Sequence, residues 1–508
     1  MIQQRHLLFF ALINLSLSIA ASGPESLDTS FNSTGYLATA FTTDTGTVGY
    51  VIARQDDGKI VVGGISSPYG FVARYNNDGS ADTTFNATGT PGYVIETTMS
   101  QIYALAIQPD GKIIVTGDPY TGGQTVMIRY LETGLVDTSF GTSGYVTTST
   151  MTISYAIALQ TDGKIVIAGT NNSSGIIMRY TTYGVLDTSF GASGTVTTAV
   201  GSGTQLRGVQ LQTDGSIVAA GRTTISSIMN IFITRYTDDG ILDTSFGTSG
   251  SITTTLNGSF GVAFGLAIQD DQKIIVVGDI SEGFIARYTI NGTLDTTFNS
   301  VGYTTFGLTY NGVTLQTNQQ AIACGYIGDF IMTVIRYTTD GIIDSSCEIQ
   351  ASQVPGFNIA YSVAVQTDEK IITTGSFQIS TFNDNKNSLG IARFLGGVTP
   401  SSGRTTTINT YGYNSAYISE FLYVDFYATV ISNTTARAAA IDAVNVIIDS
   451  FATSYVNQPS FNFISYAYLM NEDLLAAEEL LASDYPSSST EIAQFFEYIF
   501  ARETQLLE

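Results

Sequence analysis

Arginine and aspartate recur eight residues apart along this sequence, a pairing that could bind ionic ligands. In RYTDDGILDTSF at 235–246, Arg235 precedes Asp243 by eight residues, and six copies keep that interval. The pairs are Arg74 with Asp82, Arg129 with Asp137, Arg179 with Asp187, Arg235 with Asp243, Arg287 with Asp295 and Arg336 with Asp344, which leaves Arg393 and Asp28 over. We interpret them as bidentate salt bridges that tie hairpins, because a ligand site needs one special place.

The sequence contains few residues that could carry out nucleophilic or histidine-dependent catalysis. His6 is the only histidine, and it lies in an N-terminal segment interpreted below as a signal peptide. The rest of the chain therefore lacks the base of a Ser-His-Asp triad and the usual nitrogen ligand of zinc. Cys324 and Cys347 occupy positions where neighbouring repeats place core residues. We expect buried free thiols there, and a disulfide is the alternative.

One weak metal candidate remains. FNDNKN at 382–387 places Asn383, Asn385 and Asn387 at alternate positions, a spacing faintly like a calcium loop but without its leading Asp and distal Glu. No P-loop or dinucleotide fingerprint is recognisable. We expect neither a metal nor a cofactor, with calcium at these asparagines as the weak alternative.

Three recurring phrases predict how these residues are positioned. A phrase such as LDTSF, a phrase such as AIQPDGKIIVTG and a phrase such as IRY each occur seven times, 49 to 56 residues apart for the first. Each unit contains four short segments rich in β-branched and aromatic residues, bounded by Gly, Asp or Asn. The fold is predicted to be mainly β, a seven-bladed β-propeller of four-stranded blades over residues 21–396. A β-solenoid is the structural alternative.

The repeated text, as in VDTSFGTSGYVTT at 136–148, AIQPDGKIIVTG at 106–117 and ARY at 73–75, resembles the delta-60 repeat family. This resemblance to bacterial propeller-like repeats covers about residues 27–396. The sixth unit departs from the pattern, with Asn318, Gln319 and Gln320 in place of Asp-Gly-Lys. The resemblance implies a propeller on an exported protein and no shared catalytic activity.

The phase of the repeat predicts how the ring closes. The chain enters with the strand that follows the first DTSF phrase, at about 35–41, and leaves the repeats with the strand ending in ARF at 392–394. The seventh blade therefore lacks an outer strand of its own. The N-terminal strand should complete that blade, leave no open sheet edge, and bring Asp28 to Arg393.

Function in such a scaffold belongs on the face whose loops vary. The Asp-Gly turns and Arg–Asp hairpins are constant, whereas the opposite connections vary, the longest at 222–230 and 376–388. The residue five before a shared glutamine, at the start of each innermost strand, is Tyr50, Tyr103, Tyr155, Arg207, Phe264, Asn311 or Tyr361. These seven are the predicted ligand site at the channel mouth, able to stack on a sugar or peptide. Packing between blades is the alternative.

The N-terminus and the charge limit location and partners. Residues 1–20 combine basic residues, an apolar run and small residues, which is typical of a signal peptide. We therefore expect an exported protein, secreted, periplasmic or at the cell surface, with an uncleaved anchor as the alternative. No later segment predicts a membrane span. The net charge of −23 disfavours nucleic acid as a partner.

A different pattern follows the repeats. Residues 397–412 are rich in Gly, Ser and Thr and predict a linker, and residues 413–508 have a helical period of apolar positions. We expect a small, acidic, all-α C-terminal domain of about four helices. The helices either form a self-contained bundle or present an apolar stripe to a partner or a second copy.

These features together predict a non-catalytic exported propeller scaffold. It is expected to bind an unidentified protein or glycan through variable loops on one face, with the helical tail serving assembly or attachment. An enzyme of lyase or hydrolase type at the channel mouth is one alternative. A purely structural component of the envelope or surface is another.

Overall fold

The structure is a computed structural model that describes residues 27–41, 46–256, 260–327, 331–350, 354, 356–381 and 384–396, with 435, 439 and 440. The chain divides into two compact units, Met1–Thr399 and Pro400–Glu508. The predicted signal peptide, the predicted linker and all but three residues of the predicted helical domain lie outside the described residues. The signal peptide, the linker and the helical domain therefore stay predictions. Within the described part, no helix is long and apolar enough to cross a bilayer.

The described residues of the first unit form 28 strands in seven antiparallel sheets of four strands each. The first blade contains β2 (Thr47–Arg54), β3 (Ile60–Ser66), β4 (Tyr69–Tyr75) and β5 (Tyr93–Glu96). The second contains β6 (Met99–Ile107), β7 (Ile113–Pro119), β8 (Thr125–Tyr130) and β9 (Tyr145–Thr148). The third contains β10 (Ile153–Leu159), β11 (Ile165–Thr170), β12 (Gly175–Tyr180) and β13 (Thr195–Thr198). The fourth contains β14 (Ser202–Leu211), β15 (Ile217–Ile225), β16 (Ile228–Tyr236) and β17 (Ser251–Thr254).

The remaining blades follow the same order, and the last one closes the ring. The fifth contains β18 (Val262–Ile268), β19 (Ile274–Asp279), β20 (Gly283–Tyr288) and β21 (Tyr303–Phe306). The sixth contains β22 (Leu308–Leu315), β23 (Ala321–Ile327), β24 (Ile331–Tyr337) and β25 (Ile343–Gln350). The seventh contains β26 (Phe357–Val365), β27 (Ile371–Thr381), β28 (Asp384–Phe394) and, as its outer strand, β1 (Tyr36–Thr39). The predicted seven-bladed β-propeller of four-stranded blades is confirmed.

Ring closure follows the predicted phase. Strand β1 pairs antiparallel with β28, with Tyr36 opposite Ala392 and Thr39 opposite Leu389. The pairing is extended at its start, where the backbone N–H of Asp28 donates to the carbonyl oxygen of Arg393 at 2.9 Å. The seventh blade thus contains both ends of the repeat region, and β1 gives its sheet the same four strands as the other blades.

The hydrophobic core lies between blades. Seven buried clusters each combine residues of two adjacent blades, and the cluster of Phe31, Ile52, Ile372 and Ile391 joins the seventh blade to the first. Successive residues of a strand point to opposite faces. In β7, therefore, Ile113 packs towards the first blade and Ile114 towards the third. Each middle strand is apolar on both faces because each sheet is covered on both sides.

The turns at the two ends of the blades differ. In the Asp-Gly turns the glycine has a positive φ, for example 87° at Gly58, and is the last residue of a three-residue loop. The segments predicted as long loops are hairpin extensions of β15 with β16 and of β27 with β28. Ser226 and Ser227, with φ of 51° and 65°, make the tight turn of the first extension.

Candidate functional site

The seven predicted mouth residues come together as a ring around the channel, which we call the collar. Its members are Tyr50, Tyr103, Tyr155, Arg207, Phe264, Asn311 and Tyr361, one from the innermost strand of each blade. The Tyr50 ring centroid lies 5.5 Å from that of Tyr103 and 5.0 Å from that of Tyr361. Tyr103 and Tyr155 are 5.5 Å apart. Every collar side chain is half-buried, so each packs against its surroundings and keeps part of its surface open.

A β-bulge produces the collar, and it is the same bulge in all seven blades. The register between the two innermost strands shifts by one residue around Tyr50, where Gly49 pairs with Gly64 and Val51 with Gly63. The same shift occurs at each of the other six collar positions. A bulge inserts one extra residue and redirects its side chain. The inner strands otherwise pack their two faces against adjacent blades, and the bulged residue is the one presented to the channel.

One glycine per blade makes room for this bulge. These glycines pair with the residue before each collar residue and are Gly64, Gly117, Gly169, Gly221, Gly278, Gly325 and Gly375. A Cβ built on any of them would meet the carbonyl oxygen of the residue two before the collar position well inside 3.0 Å. Any larger residue would therefore push the bulged strand away. The bulge was not predicted, although a glycine repeated inside a predicted strand is a known signal for one.

Arg207 is the only cation of the collar, and two aromatic rings hold it. Its Cζ lies 4.7 Å from the Tyr155 ring centroid and 5.3 Å from that of Phe264. A guanidinium held between two ring faces is favourably placed for cation–π attraction. Its Nη2 donates to Gln205 Oε1 at 3.1 Å, and the same oxygen accepts from Arg222 Nε at 3.1 Å. Two cations therefore share one neutral acceptor.

Three tyrosines of the collar have a raised pKa, which keeps their hydroxyl groups protonated as hydrogen-bond donors. Burial raises the pKa of Tyr50, and it raises that of Tyr361 to about 12. Burial also raises the pKa of Tyr103, with further contributions from Tyr50 and Asp118. Neutral phenols of this kind donate hydrogen bonds and do not act as bases. Tyr103 donates to Gln101 Oε1 at 2.8 Å, and Asn311 anchors its side chain by donating to the Ala360 carbonyl at 2.9 Å.

The Arg–Asp pairs lie at the opposite end of the inner strands and link the blades. All seven pairs, including Arg393 with Asp28, have N–O distances between 2.6 and 2.9 Å. Each arginine also donates Nη1 to a backbone carbonyl of the next blade, as Arg179 does to Asp238 at 2.6 Å. The guanidinium of Arg179 further lies 4.7 Å from the ring centroid of Phe190. The geometry is that of a structural tie between neighbouring blades.

The shared glutamine belongs to the same network. Gln55 Oε1 accepts from Arg74 Nη1 at 3.3 Å, and Gln55 Nε2 donates to the Gly111 carbonyl in the next blade at 3.2 Å. Its contacts show that the Asp-Gly turns and the Arg–Asp hairpins lie at one end of the propeller. Burial alone would raise the pKa of Asp28, but hydrogen bonds from Ser30 and Lys370 and the charge of Arg393 outweigh it and hold the pKa below its ordinary value.

The metal and thiol candidates are placed as follows. Asn385 and Asn387 lie in β28, paired with β27 and not in a loop, whereas Asn383 lies outside the described residues. Over the described ranges, no group of three acidic, histidine or cysteine side chains could hold a metal ion. Cys324 is a buried free thiol, and burial raises its pKa to about 12. Cys347 lies in β25, and its side chain is outside what the structure describes.

A family model matches five of the repeat units. The family described as "Domain of unknown function (DUF5122) beta-propeller" matches residues 55–85, 108–140, 160–190, 212–246 and 269–298. Each matched segment runs from the shared glutamine to the phenylalanine of the DT phrase. It therefore covers the network between blades and stops short of the collar. The match supports a propeller repeat, and the delta-60 name stays a prediction.

Solved structures similar to this chain are distant. Sqt1 from Chaetomium thermophilum is 10% identical, with 71% of this chain and 99% of that chain covered and a TM-score of 0.44. A PQQ-bound aldose sugar dehydrogenase from Streptomyces coelicolor is 13% identical, covering 71% and 99%, with a TM-score of 0.37. A Bacteroides caccae protein of unknown function is 11% identical, covering 63% and 98%, with a TM-score of 0.38. These likenesses carry no functional argument. No curated protein matches the sequence.

Proposed function

We propose that this chain is a non-catalytic β-propeller scaffold that binds a glycan or protein partner at the channel mouth. The observation that carries the proposal is the collar, formed by one bulged residue from each of seven blades. Partly exposed aromatic side chains with polar tips are common where proteins bind ligands. The seven blades hold these side chains on a rigid frame, which lowers the entropic cost of binding.

The chemistry of the collar supports binding more than catalysis. Burial raises the pKa of Tyr50 and Tyr361, which keeps these two phenols protonated well above neutral pH. Its arginine remains a cation throughout the physiological range. General acid–base catalysis needs a group whose pKa lies near the working pH. The collar supplies donors, ring faces and one positive charge, which are the components of a recognition site.

An array experiment followed by a matched pair of variants tests the proposal. The full chain is screened on glycan and peptide arrays, and the affinity of any ligand found is measured for Tyr103→Ala and Tyr183→Ala. Tyr183 is 66% exposed and belongs to an Arg–Asp hairpin, at the other end of the propeller. Tyr103→Ala should weaken binding about tenfold or more, from the loss of ring contact and one hydrogen bond. Full affinity in Tyr103→Ala with loss in Tyr183→Ala would place the site on the wrong face.

Export and assembly complete the proposal. The pattern of residues 1–20 supports an exported protein, and the acidic, amphipathic pattern of 413–508 supports self-association or attachment. Light scattering compares the molar mass of the full chain with that of a chain ending at 412. A monomer in both cases would remove the assembly role from the tail.

A further inference from the structure

We infer that Arg207 and Arg222 form an anion site in the fourth blade, and that the ligand of the collar is an acidic saccharide bound there by a carboxylate. The inference rests on the proposed function and specifies its ligand. Arg207 lies in the collar, and Arg222 lies one strand outward, directly after the glycine that accommodates the bulge. Gln205 is opposite Arg222 in the register and bridges the two guanidinium groups.

These two cations lack a carboxylate partner. Across the part of the chain that the structure describes, the seven arginines of the Arg–Asp pairs form ion pairs at the other end, whereas no described carboxylate lies within salt-bridge distance of Arg207 or Arg222. Arg207 Nε is buried with no hydrogen-bond partner, and the second contact of Arg222 is a weak one, from Nη1 to Met229 Sδ at 3.4 Å. This isolation is unexpected in a chain of net charge −23.

The arrangement is unfavourable without an anion. Burial, and then the nearby charge of Arg222, lower the pKa of Arg207. Like charges held together in a poorly hydrated place repel each other, and a bound anion removes that repulsion. The planar guanidinium presents parallel N–H groups that match a carboxylate. Tyr155 and Phe264 fix its plane, so the geometry exists before the ligand arrives.

The fourth blade is special in the ring. At the Arg222 position the other blades carry Ile65, Asp118, Thr170, Asp279, Tyr326 and Ser376, and no other collar member is charged. Both arginines occur in the fourth blade, Arg207 in β14 and Arg222 in the adjacent strand β15, near the extended hairpin of β15 and β16. Two independent substitutions that meet at one acceptor indicate a single site and not a property of the repeat.

The rest of the collar favours a saccharide as the carrier of the carboxylate. No described residue accepts a hydrogen bond from the hydroxyls of Tyr50, Tyr155 or Tyr361, and these groups can both donate and accept. Sugar hydroxyls have the same dual capacity, and the apolar face of a pyranose ring packs on aromatic rings. A peptide with a C-terminal carboxylate would also pair with the arginines, but each backbone N–H only donates and each backbone carbonyl only accepts, so no single atom of its backbone matches the dual capacity of a hydroxyl.

A comparison of one sugar acid with its ester tests the inference. The probes are a trisaccharide of galacturonic acid and its methyl ester, which keeps the shape of the sugar and removes its charge. Each probe is titrated into the full chain, and calorimetry measures its affinity. The acid should bind about tenfold or more tightly than the ester. The preference should fall in Arg207→Gln and Arg222→Gln and persist in Arg54→Gln. Arg54 is a matched control, because it also has no carboxylate partner among the described residues and its Nη1 donates to the Gln55 carbonyl at the other end of an inner strand.

Two further measurements keep the result interpretable. Raising sodium chloride from about 0.05 M to about 0.5 M should weaken binding of the acid and leave the ester unchanged in the unmodified protein. Arg207→Lys should keep part of the preference, because the charge remains and the planar fork is lost. Equal affinity for acid and ester would overturn the inference and leave the proposed function standing. No binding of the acid, or tighter binding of a peptide carboxylate or inorganic phosphate, would also overturn it, while the array decides the proposed function separately.

Discussion

Replacing Asp28 by Asn tests whether the ring closes through the pair that joins the two ends of the repeat region. The side chains of Arg393 and Asp28 are 2% and 7% exposed, and their nearest N–O distance is 2.8 Å. Lys370 Nζ lies 3.1 Å from the same carboxylate oxygen. Asparagine keeps the shape but removes the charge, so a buried guanidinium loses its counter-ion. Breaking one partner of a buried pair costs about 3 to 5 kcal/mol.

The lower figure applies here, because Arg393 keeps Gln366 Oε1 and the backbone carbonyl of Asn77 as acceptors. An unfolding entropy of about 2.1 cal/mol/K per residue over about 370 residues converts about 3 kcal/mol into a melting shift of about 4 °C. Circular dichroism measures that shift. Asp187→Asn is the control inside the ring, with Arg179 at 2.8 Å, and it should shift the midpoint by a similar amount.

Hydrogen exchange adds a local readout for the same variant. Asp28→Asn should speed exchange in β1, since the Arg393 backbone N–H also donates to the Gly35 carbonyl at 2.8 Å and fixes the start of that strand. Asp187→Asn should leave β1 protected. An unchanged midpoint in Asp28→Asn together with a lowered one in Asp187→Asn would refute the reasoning, because the closure would then not depend on this pair.

Three further predictions follow from the same contacts. Gly221→Ala should lower the free energy of unfolding by about 3 kcal/mol, because the added Cβ would collide with the Gln205 carbonyl. Gly307 has open space around it, so Gly307→Ala should change the free energy of unfolding by less than about 0.5 kcal/mol. Urea titrations measure both variants. The folded protein should lose stability in acid, because the pKa values of its paired aspartates are held below their ordinary value of 3.8; these are Asp28, Asp82, Asp137, Asp187, Asp243 and Asp295. The stability that they contribute is fully present above about pH 4 and is lost as the pH falls through the lower pKa values of the folded state. A melting temperature that does not fall between pH 5 and pH 3 would contradict this. Cys324 should resist iodoacetamide at about pH 8 in the folded protein and react in denaturant, because burial raises its pKa to about 12; peptide mass mapping would reveal early labelling if the thiol were accessible.

The blade number and the closure could be predicted from the sequence because both depend on repeat count and phase. Seven copies of three phrases give seven blades, and a chain that starts with an outer strand must end without one. Arg393 and Asp28 were left over in the spacing pattern for the same reason, and the structure places them together. Such inferences need only the order of residues and the closure of a ring.

The residues of the collar could be predicted from the sequence, but the β-bulge that forms the collar could not. Counting back from the shared glutamine aligned the seven residues, yet the register shift that presents Tyr50 to the channel leaves no trace in the alternation of apolar residues. The glycine inside each second strand was the available signal. The hairpin extension at Ser226 and Ser227 was missed because neither residue is a usual carrier of positive φ. The shared contact of Arg207 and Arg222 with Gln205 depends on strand pairing at the bulge, which the sequence does not show.

The structure of a complex with an array-selected ligand tests the central claim most directly. Electron density for the ligand should lie at the channel mouth, in contact with the rings of Tyr103 and Tyr155 and within hydrogen-bond distance of Arg207. Density on the face of the Asp-Gly turns, among the Arg–Asp hairpins, with the collar side chains unchanged and unoccupied, would contradict it.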